Sequence, residues 1–137
     1  MFPKDNLESW QQIHDFISEF PDDDYWSKWK PMVREVVLAL EARGFSSSFR
    51  IGQSMHHITF STIGHHRLKD EPRVTLEFHP KDQAVRIAYS CSNLYFNEPL
   101  SQETVSMPNA VPSIIRYLQR LWQEMKPDTQ APQSLLD

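Results

Sequence analysis

Cysteine is nearly absent. Cys91 stands alone among 137 residues, so no intramolecular disulfide can form, and a reducing, cytoplasmic setting is expected. Glycine is scarce too: only Gly44, Gly52 and Gly64 occur, at spacings that fit neither a phosphate-cradling loop nor a dinucleotide fingerprint. No apolar run approaches the roughly eighteen residues of a membrane span, and the first residues lack the basic stretch and apolar core of an export signal. Neither membrane insertion nor export is therefore expected. Basic charge is not in excess, since 14 Lys and Arg against 18 Asp and Glu leave a formal charge of −4. Arg43, Arg50 and Lys69 lie apart from the Arg116/Arg120 pair, so the stripe that a phosphate backbone requires is missing and nucleic acid is not an expected partner.

What the chain does have is aromatic and aliphatic surface. Eight Phe, four Trp and four Tyr within a 39% apolar composition supply enough area to offset the entropy of ordering the chain. The length suits one hydrophobic core. One domain over residues 1–126 is expected, followed by a flexible polar tail over 127–137 that carries Pro127, Pro132 and a terminal Leu135-Leu136 pair.

The apolar periodicity changes twice. Leu7, Trp10, Ile13 or His14, and Ile17 recur at helical spacing after Asp5 or Asn6, either of which can cap, and Phe20-Pro21 ends that helix. Trp26, Trp29, Val33, Val36, Val37 and Leu40 form a second stripe, with Pro31 expected in its first turn and Gly44 at its close. Alternation then takes over. Phe49 and Ile51, then Ile58 and Phe60, read as strands flanking a Gly52-Gln53-Ser54 turn, and residues 63–73 as a connecting loop. Val74, Leu76 and Phe78 share one face of a third strand and Val85, Ile87 and Tyr89 one face of a fourth, joined through Pro80-Lys81-Asp82-Gln83. This pattern sets Phe78 opposite Val85 and Glu77 opposite Arg86, because a one-residue slip would turn every apolar side chain to the polar face. Residues 91–108 are less regular, with Glu103–Met107 as a short edge strand. Asn109 then caps a helix with Ile114, Ile115, Leu118, Leu121, Trp122 and Met125 on one stripe, and Pro112 in its first turn.

The expected fold is α+β: two N-terminal helices, an antiparallel sheet of four or five strands built from hairpins, and one C-terminal amphipathic helix packed on the sheet. With helices on one sheet face, the other is left polar.

Six histidines are the most suggestive chemical feature: His14, His56, His57, His65, His66 and His79. Adjacent histidines on a strand point to opposite faces, and no His-Glu-x-x-His, paired-cysteine or EF-hand spacing occurs, so neither a metal nor another cofactor is expected. On the polar face the alternation collects His57, Glu77, His79 and Arg86. Those four could form an acid/base or anion site, with a histidine accepting a proton, Glu77 orienting it and Arg86 holding an anion. The plainer reading is a solvated face with Glu77 and Arg86 as a cross-strand ion pair.

Gly52-Gln53-Ser54-Met55-His56 half-matches a nucleophile elbow but lacks the second glycine, and Cys91 alone reads as an inert packed thiol. Asp22-Asp23-Asp24 suits the positive end of a helix. Tyr25 and Trp26 offer aromatic contact area of the kind that protein partners use, whereas Trp29 reads as core. The functional expectation is a small acidic, non-catalytic protein that binds another protein as an adaptor, chaperone or inhibitor, a second copy of the chain being one such partner. The alternative is a small-molecule-binding domain or enzyme centred on His57, Glu77, His79 and Arg86.

Overall fold

The computed structural model describes residues 3–19, 26–54, 57–61, 72–90 and 100–125. Helices α1 (Pro3–Glu19) and α2 (Trp26–Ala42) are followed by five strands, β1 (Arg50–Ser54), β2 (His57–Ser61), β3 (Arg73–His79), β4 (Ala84–Ser90) and β5 (Ser101–Ser106), and then by helix α3 (Met107–Met125). The strands form one antiparallel meander in the order β1-β2-β3-β4-β5. This is the α+β arrangement that the pattern of periods implies.

The register follows from side-chain alternation. Phe78 pairs with Val85 and Glu77 with Arg86, so Val74, Leu76 and Phe78 of β3 and Val85, Ile87 and Tyr89 of β4 lie on one face, and all six are buried. The helices cover that face. Trp10 of α1 lies 5.9 Å from Phe60, Trp29 of α2 meets Phe78 edge-on at 6.2 Å, and Trp122 of α3 meets Phe49 edge-on at 5.8 Å. Together with the stripes Val33, Val36, Val37 and Leu40 on α2 and Ile114, Leu118 and Leu121 on α3, Trp10, Trp29, Phe49, Phe60 and Phe78 form one buried cluster, with the partly buried Trp122 packed against it.

Several local expectations are corrected. Helix α1 starts at Pro3, where a missing N–H costs nothing, so Asn6 is not a cap. It is buried, and its Nδ2 donates to the Ser47 carbonyl at 3.0 Å; the stripe runs through Asn6, Ser9, Trp10, Ile13 and Ile17, and Leu7 is exposed. Pro31 and Pro112 each lie inside their helices, in the second turn rather than the first. Asn109 lies within α3, which follows β5 without a loop, and its Nδ2 donates to Ser106 Oγ at 3.0 Å. The fifth strand spans Ser101–Ser106, earlier in the chain than expected.

Gly52-Gln53-Ser54 belongs to β1 and is not a turn, with Gly52 opposite Thr59. Turn chemistry does operate elsewhere. Gly44 takes the left-handed conformation (φ 82°) that closes α2, and Gln83 adopts φ 48° at the end of the Pro80–Asp82 turn between β3 and β4. No helix among the described residues is long and apolar enough to cross a membrane. The proposed tail at 127–137 lies outside the described residues.

Candidate functional site

The sheet face away from the helices carries the site. Alternation along β2, β3 and β4 sends His57, Thr59, Thr75, Glu77, His79 and Arg86 to that face, all partly exposed. His57 stands directly across from Glu77, and His79 follows Glu77 by one strand repeat. The Glu77 carboxylate takes both imidazoles: His57 Nε2 lies 3.0 Å from Oε2, and His79 Nε2 lies 2.9 Å from Oε1. An ionised carboxylate can only accept, so the protonated nitrogen of each ring is Nε2.

Side-chain exposures of 34% for His57, 28% for Glu77 and 39% for His79 keep the triplet at the water boundary. The hydrogen bond from His57 holds the Glu77 carboxyl below its ordinary value of 4.5, opposed by partial burial and helped by the charges of His79, His57 and Arg86. A carboxyl whose folded value is depressed stabilises the fold fully above its unfolded value, and that contribution is lost as pH falls through the folded value. The stability difference between the wild type and Glu77→Gln should therefore be larger at about pH 6 than at about pH 3.5 in urea titrations. A difference independent of pH would show that the carboxylate gains nothing from its neighbours.

Arg86 does not pair with Glu77 as expected. Its Nε donates to Gln102 Oε1 on β5 at 2.7 Å, and its Nη2 bonds the same oxygen. Gln102 stands one strand repeat from Thr104, the direct partner of Arg86, so the diagonal neighbour competes successfully for the guanidinium. Thr59 and Thr75 face each other with hydroxyls 3.4 Å apart. The polar face thus carries two bonded sets, one joining β2 to β3 and one joining β4 to β5.

Of the four residues expected on this face, the structure brings His57, Glu77 and His79 together and places Arg86 on the same face, turned to β5. Tyr25, the side chain of Trp26, Cys91 and histidines 56, 65 and 66 lie outside the described residues. Trp29 is buried, as a core residue should be. Gly52, Gln53 and Ser54 of the half-match to a nucleophile elbow lie in strand β1, and residues 55 and 56 lie outside the described residues. Among the described residues no group of three or more His, Cys, Asp or Glu side chains is arranged to hold a metal ion.

Other polar contacts had no local signal. His14 Nε2 meets Glu41 Oε1 at 2.6 Å between α1 and α2, a pairing that only tertiary packing creates. At the α3/β5 seam Arg120 lies 4.1 Å over the Tyr89 ring and donates to Ser101 Oγ at 2.8 Å, while Arg116 approaches Glu103 at 3.5 Å. Tyr117 sits in the same seam, its phenol pushed above the ordinary 10.0 chiefly by burial and also by Glu103.

Comparison of the chain with known protein families, curated proteins and solved structures finds no match.

Proposed function

We propose that this chain is a non-catalytic protein that binds another protein through the polar face of its sheet, as an adaptor, chaperone or inhibitor does. One observation carries the reading: the face opposite the three helices presents two sets of side chains already bonded to one another, His57, Glu77 and His79 with Thr59 and Thr75 on β2 and β3, and Arg86 with Gln102 on β4 and β5. Such cross-links hold rotamers in place before contact, which lowers the entropy lost on association. The acidic balance of the chain favours a partner with a basic surface.

The test compares capture from native lysate by the wild type, by His57→Ala, Glu77→Ala and Arg86→Ala, and by Arg34→Ala on an exposed part of α2. A protein retained stoichiometrically by the wild type and by the helix variant, but reduced tenfold or more by one or two of the face variants, is the expected result. Equal capture by all the variants would remove the face from the interaction.

A second reading has its own support. Glu77 holds the Nε2 edges of both imidazoles and so fixes the orientation of the two rings, as the carboxylate partner of a histidine does in an acid/base site. Under that reading Glu77→Gln lowers turnover of a small substrate and leaves its binding largely unchanged.

A further inference from the structure

The two edges of the sheet are finished differently. At β1 the outward backbone is covered by α1: Ile51 N–H donates to Ser9 Oγ at 3.1 Å, and the neighbouring Phe49 carbonyl accepts from Trp10 Nε1 at 2.8 Å. At β5 the pattern of inward bonds follows from its ends. Met107 N–H donates to the Gln83 carbonyl at 2.8 Å, and Leu100 N–H to the Tyr89 carbonyl at 2.8 Å as the first residue of a bulge beside Ser101. Alternate residues of an antiparallel ladder bond inward, so Ser101, Glu103 and Val105 face β4 while the amides of Gln102, Thr104 and Ser106 point away from the sheet. Among the described residues no group bonds to those three amides. The strand is lightly protected against pairing: Ser101–Ser106 contains no proline and no lysine and its ladder to β4 is unbroken, so its defences are the single charge of Glu103 and the bulge at its first end.

We infer that β5 is a pairing edge for a second copy of this chain, the two β5 strands joining antiparallel about a two-fold axis at Thr104. The occupant follows from self-complementarity. With Thr104 on the axis, the two Thr104 residues exchange both backbone bonds, and the Ser106 amide of each copy donates to the Gln102 carbonyl of the other. Glu103 then stands opposite Val105, and no like charges meet. A shift of the axis to Glu103 would set two carboxylates face to face, which is destabilising, and would use fewer of the outward amides. Leu100, 63% exposed and the most exposed large hydrophobic side chain among the described residues, comes beside Met107 and Pro108 of the second copy. The product is a continuous sheet through both copies, with all helices on one side and the polar face doubled in extent.

Sedimentation velocity of the full chain from about 1 μM to about 1 mM tests the inference, a range chosen for an interface of a single strand pair. The wild type and Thr104→Ser should shift toward dimer as concentration rises. Thr104→Lys and Thr104→Glu, at an exposed side chain, should each stay monomeric with an unchanged circular dichroism spectrum, because the axis brings each new charge against itself. An equimolar mixture of the two should recover the dimer. A wild type that remains monomeric throughout overturns the inference and leaves the edge to an extended segment of another protein. A dimer that survives Thr104→Lys, or charge variants whose mixture does not recover it, overturns the axis at Thr104.

Discussion

Replacing Leu118 with alanine should lower the unfolding free energy by about 2 to 5 kcal/mol, read from the urea midpoint at constant slope. Leu118 is fully buried in the middle of the α3 stripe, between Ile114 and Leu121, which are themselves fully buried. Truncation removes the transfer energy of the lost methyl and methylene groups and leaves a cavity that a helix pinned along its length cannot collapse to fill. Arg116, two positions earlier, is 62% exposed in its side chain and meets Glu103 and Ser113 at the water boundary, and Arg116→Ala should shift stability by less than about 0.5 kcal/mol. Equal midpoint shifts for the two variants would mean that the faces of α3 are reversed.

Trp10→Ala should cost about 3 to 5 kcal/mol, because the indole is 1% exposed and packs on Phe60. The ring has a second role, since its N–H satisfies the Phe49 carbonyl at the sheet edge. Trp10→Phe separates the two: it keeps most of the apolar contact and leaves that carbonyl without its donor, for an expected loss of about 1 to 3 kcal/mol. Calorimetry giving Trp10→Phe the same loss as Trp10→Ala would assign the whole effect to the hydrogen bond. No loss for Trp10→Phe would assign it to packing alone.

Where burial has one period, the sequence was readable. Val74, Leu76 and Phe78 against Val85, Ile87 and Tyr89 exclude a one-residue slip, and the same alternation places His57, Glu77, His79 and Arg86 together on the opposite face, while the direct pairing of His57 with Glu77 depends on the β2–β3 register. The helix of Ile114, Leu118 and Leu121 was equally plain, since a stripe buried against a sheet must repeat at 3.6 residues.

The misreadings have local causes. Gly52-Gln53-Ser54 has turn composition, yet Gly52 lies in β1 on the exposed face, where an ordered strand needs no side chain to pack. Pro31 and Pro112 suggested helix starts because a proline is cheapest there, but packing of the stripes that follow them holds both helices together one turn further back. The Arg86–Gln102 bond was hidden because it depends on the register of β5, whose exposed, mostly polar residues carry little hydrophobic signal. His14 and Glu41 belong to different helices, and nothing in either periodicity specifies their meeting.

The meander order bears on how the chain is built during synthesis. Every ladder joins strands adjacent in sequence, so the sheet grows outward from its first hairpin by short loop closures and needs no crossover. The edge beside Ile51 can be capped by α1, which has already been made. The growing edge has no such cover: until Ser101–Ser106 arrives, β4 ends the sheet with Val85, Ile87 and Tyr89 along its length, a segment prone to wrong pairing while α3 is still to come. Because α3 follows β5 without a loop, the residue that completes the last ladder also starts the helix that covers the same strands.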